Sequence, residues 1–125
     1  MIKPRFILCQ VVALSFVLLT ANATRVSAGA TGFVTGFYDL PLMVGMTEIP
    51  DTGVAFETIS GRIVIAFARS AKARQDIEEF YRKTLSQLGW QNRVDKSFER
   101  EGEVLSIEYL TDGPNVIIQF SLLPK

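Results

Sequence analysis

The side chains with most chemistry to offer are carboxylates, aromatic rings and thioethers. Glu78 and Glu79 are neighbours, Glu99, Glu101 and Glu103 bracket Gly102, Phe80 and Tyr81 precede Trp90, and Met43 and Met46 stand close together. Two carboxylates do general acid–base work only when both reach one reacting group. Adjacent residues on a helix project about 100° apart, so Glu78 and Glu79 read as a solvated face rather than a facing pair. The glutamates around Gly102 could gather oxygens about a hard cation. They lack the alternating Asp/Asn loop of a calcium site, however, and Arg100 stands among them, so turn solubility is the expectation. Phe80, Tyr81 and Trp90 could line an aromatic cage, yet their spacing is that of a core helix and the residue beyond its cap. Met43 and Met46 are adaptable contact residues, suited to a partner surface or to filling irregular gaps.

What is missing narrows the choice further. His is absent and Cys9 is the only Cys. Cys/His zinc sites, haem attachment, Ser-His-Asp triads and Cys-His dyads therefore each lack a necessary residue. Ser70-Ala71 leads into the candidate helix without the closely spaced glycines of a phosphate cradle. No catalytic residue, metal or cofactor is expected, and the chain reads as a non-enzyme.

Residues 1–28 read as an export signal. Lys3 and Arg5 form a positive start, Phe6 to Thr20 is apolar except for Gln10 and Ser15, and small residues follow, with cleavage expected after Ala28. Phe6 to Ala23 is also close to the lower end of the roughly 17–25 residues that span hydrocarbon, so the alternative is an uncleaved anchor holding an accessory subunit at the membrane. Cys9 has Phe6-Ile7-Leu8 before it rather than small residues, which argues against lipid attachment, and cleavage leaves a thiol-free chain. Removing Lys3, Arg5 and Arg25 takes the basic residues from 13 to 10 against 13 acidic ones, a net charge of −3. A mildly acidic domain without a basic stripe has no electrostatic reason to bind phosphate backbones, so nucleic acid is not an expected partner.

The length of 125 residues allows one domain, and 48% apolar with 21% charged residues is a globular balance that excludes a disordered or collagenous chain. Residues 29–52 show no regular period and are interrupted by Gly32, Gly36, Pro41, Gly45 and Pro50. This irregular arm is nonetheless apolar through Phe33, Phe37, Tyr38, Leu40, Leu42, Met43, Met46 and Ile49, so it should lie against something.

Residues 53–125 are regular. Val54 to Thr58 and Arg62 to Ala68 read as a hairpin turning at Gly61. Ala73, Ile77, Phe80, Tyr81, Thr84, Leu85 and Leu88 recur at intervals of three and four and predict a helix of about five turns. Ser70 is its expected N-cap and Gly89 its left-handed terminator, with Trp90 folding back onto Leu85. Gln91 to Glu99, Glu103 to Leu110 and Val116 to Leu122 predict an antiparallel meander. The order is ββαβββ, an α+β fold of one helix packed on one antiparallel sheet and preceded by the arm. Leu105, Ile107 and Tyr109 should face the helix with Val116, Ile118, Phe120 and Leu122. Val64, Ala66, Val104, Leu110 and Ile117 should form an apolar opposite face, which the arm is expected to cover through Leu40, Leu42 and Met43.

Three segments carry a resemblance: Asp39-Leu40-Pro41-Leu42-Met43, Phe80-Tyr81-x3-Leu85-x2-Leu88-Gly89-Trp90 and Phe98-x-Arg100-Glu101-Gly102-Glu103-x-Leu105. Through them the chain resembles small exported proteins of Gram-negative bacteria over most of its length after residue 28. The resemblance implies an envelope location and carries over no catalytic residue. The function expected is a periplasmic module that engages a protein or peptide partner, with Leu40, Leu42, Met43 and Met46 as candidate contacts.

Overall fold

The computed structural model describes residues 29–125, so the leader and its cleavage site lie outside the described residues. Where glycine and proline break the arm, three short strands still form: β1 (Ala30–Phe33), β2 (Pro41–Met43) and β3 (Met46–Glu48). β1 and β2 pair with each other, and a turn at Gly45, with φ at +83°, returns the chain into β3. The alternating runs that follow become β4 (Val54–Thr58) and β5 (Gly61–Ser70). After α1 (Arg74–Gln87) come β6 (Gln91–Asn92), β7 (Phe98–Arg100), β8 (Glu103–Asp112) and β9 (Asn115–Pro124). All the pairings are antiparallel, and the main sheet runs β3-β5-β9-β8-β7-β6, with β4 pairing β5 beyond β3 along the same edge. The fold is α+β with one helix packed on an antiparallel sheet.

The helix stripe packs as its period demands. Ile77, Tyr81 and Leu85 are buried against Ala68 of β5, Leu105 of β8 and Ile118, Phe120 and Leu122 of β9. Its 14 residues make about four turns rather than five, because Ala73 is the N-cap and Leu88 the C-cap. Ser70 is not the cap. It ends β5, buried, and its hydroxyl accepts the Lys72 amide at 3.1 Å. The C-terminal end follows the expected pattern: Gly89 has φ +88°, its amide donates to the Ser86 carbonyl at 3.3 Å, and the Trp90 amide donates to the Leu85 carbonyl at 3.0 Å. No helix among the described residues is long and apolar enough to cross a membrane.

Two face assignments are corrected. Val64 and Ala66 are buried on the helix side, and Ile63, Ile65 and Phe67 are half-buried on the other. β5 is apolar at both parities, so alternation could not choose its register. The arm also lies on the helix side rather than the opposite face: Val34, Phe37, Leu40, Met43 and Met46 join one core with Tyr81 and Phe120. The Phe37 and Phe120 rings meet edge-on at 6.3 Å, and the Tyr81 hydroxyl donates to the Pro41 carbonyl at 2.9 Å. Gly36 passes so close to β5 that a Cβ there would stand 2.8 Å from Val64 Cγ1. Helix and arm together thus roof one face of the sheet. The opposite face keeps Val54, Phe56, Leu110 and Leu123 exposed.

Candidate functional site

The four candidate contact residues are placed by the arm's docking. Leu40, Met43 and Met46 are 2%, 8% and 4% exposed, and Leu42 is partly buried against the same core. Met46 Sδ lies 3.5 Å from the Tyr81 hydroxyl. Their surface serves the protein's own interior, and none of them opens to solvent as a group. The carboxylates around Gly102 also serve the fold: Glu103 takes Arg62 Nε at 2.8 Å, and Glu99 pairs with Arg93 and Lys125. Among the described residues no three His, Cys, Asp or Glu side chains gather as a metal-binding group.

The site that does open lies at the other end of the helix layer. The expected strand from Gln91 to Glu99 is interrupted, because the Asp95 carboxylate accepts both the amide and the hydroxyl of Ser97 and the Arg93 amide donates to the Ser97 carbonyl at 2.8 Å. That tight turn delays the start of β7 to Phe98. β7 consequently pairs only Glu103, Val104 and Leu105 of β8, and no described strand pairs that side of β8 beyond Leu105. A groove of about 680 Å³ opens there between α1, the β6–β7 turn and β8. Tyr81, Phe98, Ile107 and Tyr109 contribute its aromatic and aliphatic lining.

Which backbone groups face the groove follows from the ladder. The Lys125 amide donates to the Gly102 carbonyl at 2.8 Å across the β8–β9 register. Antiparallel partners alternate between bonded and non-bonded pairs, so Val104, Ser106, Glu108 and Leu110 direct their backbone groups at β9. Ile107, Tyr109 and Thr111 direct theirs outward, into the space that β7 does not reach.

Charge is concentrated at the same place. Arg74, Arg82, Arg93 and Lys96 line the groove against Glu78 and Glu108, a local excess of two positive charges on a chain that is net acidic after residue 28. Arg74 is held by Glu78 at 2.7 Å and lies 5.0 Å from the centre of the Tyr109 ring, while Arg93 reaches Glu99 at 3.5 Å. Arg82 and Lys96 make no ion pair among the described residues. Burial and then the nearby Glu78 charge push the Tyr109 phenol above its ordinary range, and burial does the same to Tyr81, so both stay protonated donors at neutral pH.

Chemically, the groove can hold an apolar body, neutralise negative charge and offer unpaired backbone donors and acceptors. Sequence reading missed it because its residues come from four separate elements. The available local signal was Asp95, a turn former in the middle of an apparent strand. No family model matches the chain, and neither a curated protein nor a solved structure matches it.

Proposed function

We propose that the chain is a non-enzymatic binding module of the periplasm that engages a protein or peptide partner, and that the groove between α1 and β8 is where it does so. The observation that carries this reading is the open stretch of β8 from Ser106 to Asp112, which borders an aromatic-floored groove instead of being closed by a neighbouring strand. Recognition by strand edges supplies affinity through main-chain bonds and selectivity through pockets for alternate side chains, and both elements are at hand here. The sequence supports a binder over a catalyst in its lack of His throughout and of Cys after residue 28. Its leader pattern and its resemblance to exported Gram-negative proteins support the location.

Selection of short random peptides against the purified protein tests the reading. Ligands should perturb the amide resonances of Asn92, Phe98 and Ile107 to Leu110. Ligands that map only to the opposite sheet face, around Phe56 and Leu123, would overturn it.

A further inference from the structure

We propose that the groove takes an extended acidic segment of a partner protein, laid down as an additional strand on the open edge of β8. The inference rests on the reading of the groove as a peptide site and adds to it both the shape and the charge of the occupant. Shape follows from the ladder: Ile107, Tyr109 and Thr111 present their amides and carbonyls in the plane of the sheet, and a neighbouring extended chain is the partner that can satisfy all of them at once. β7 and its turn occupy the edge as far as Leu105, so the incoming strand begins where the Arg93–Ser97 turn ends.

Charge follows from the lining. Of the six charged side chains around the groove, Arg74, Arg82, Arg93 and Lys96 are cationic and only Glu78 and Glu108 are anionic. Glu78 is already engaged by Arg74. Arg82 on the helix and Lys96 on the turn lack partners among the described ion pairs and flank the strand path from two elements. An entering glutamate or aspartate gains them as partners, and an entering lysine meets repulsion. Side chains of the added strand alternate between the sheet's two faces. Those pointing toward α1 reach Arg74 and Arg82, and those pointing away lie beside Leu110, so the segment should carry its acidic residues at the α1-facing positions and apolar ones between them.

The test titrates two synthetic peptides into the 15N-labelled protein, expressed with its leader and recovered after processing. One alternates glutamate with valine, and the other replaces each glutamate by lysine; both have blocked ends. The glutamate peptide should shift groove resonances and slow hydrogen exchange at the Ile107, Tyr109 and Thr111 amides, while the exchange rates of Ser106, Glu108 and Leu110, already bonded to β9, stay as they were. It should bind about tenfold more tightly than the lysine peptide, equivalent to ~1.4 kcal/mol. Arg82→Gln combined with Lys96→Gln should remove that preference without changing the melting temperature, since neither side chain is paired. Groove binding without protection of the three amides would overturn strand addition while leaving the peptide-site reading intact. Equal affinity for both peptides would overturn the acidic preference. If neither peptide nor any selected ligand reaches the groove, the peptide-site reading itself falls.

Discussion

Arg100 holds Asp39 with both terminal nitrogens of its guanidinium, at 2.7 and 2.9 Å, across 61 positions of sequence. The same guanidinium donates to the Leu88 carbonyl at 2.8 Å and lies 4.4 Å from the centre of the Trp90 ring. One side chain of β7 therefore ties down the arm, the C-terminal end of α1 and the aromatic residue that follows it. Three sequence segments singled out by their residue pattern meet at this point: Asp39 belongs to the first, Leu88 and Trp90 to the second, and Arg100 to the third.

Asp39→Asn should destabilise the protein by about 1 kcal/mol at neutral pH, below the usual worth of a charged hydrogen bond because the Asp39 side chain is 40% exposed. The Arg100 hydrogen bond, followed by its charge, holds the Asp39 carboxyl below its ordinary 3.8. A depressed folded-state value contributes stability that is complete above 3.8 and is lost as the pH falls through the folded-state value. Urea denaturation of both proteins as a function of pH checks the sign: the gap should be constant near neutrality and close below 3.8.

Trp90→Ala should cost about 3–5 kcal/mol, the usual range for truncating a buried aromatic residue. The ring is only 5% exposed and lies under Arg100. Chemical denaturation measures the loss. A variant that melts with the parent would place the ring outside the core.

Tyr81→Phe keeps the ring that meets Phe120 at 5.3 Å but deletes the hydroxyl bonded to the Pro41 carbonyl. The expected loss is about 1 kcal/mol. Hydrogen exchange should quicken more at Val34 and Val44, whose amides tie the arm's turns together, than in the β8–β9 ladder.

Gly36→Ala should loosen the arm more severely. The position has φ +87°, which disfavours any Cβ, and that Cβ would meet Val64 Cγ1 at 2.8 Å. Faster exchange across residues 34–43 with little change in α1 is the expected signature. Uniform behaviour across the chain would mean that arm and helix unfold as one unit.

Local chemistry was legible in the sequence, and long-range placement was not. The Gly89 stop could be read because a helix ending is decided within six residues, all adjacent in sequence. The helix-facing sets on β8 and β9 could be read because Leu105, Ile107 and Tyr109 alternate with more polar neighbours. Ile63 to Phe67 is apolar at every position, so burial there depended on which face the arm reached, a tertiary fact with no local signature. The partnership of Arg100 with Asp39 was equally hidden, since an arginine beside two glutamates announces only surface charge. The groove has no such signature, because it depends on where β7 begins rather than on any residue type.

The pairing of β5 with β9 sets the order in which the molecule can be built. Ala66 lies opposite Phe120 and Ser70 opposite Val116, so the middle of the sheet joins segments separated by α1 and the whole meander. Such pairings close large loops and make folding slow compared with a chain of local contacts. β9 comes last among the described strands, so β5 has no partner on that flank until the chain is complete through Leu122. A nascent chain lacking β9 can form the β4–β5 hairpin and a transient helix, but it cannot assemble the core around Phe120. The core of the described residues therefore closes only after Leu122 has been made, and every earlier intermediate leaves the apolar flank of β5 open to water or to a chaperone.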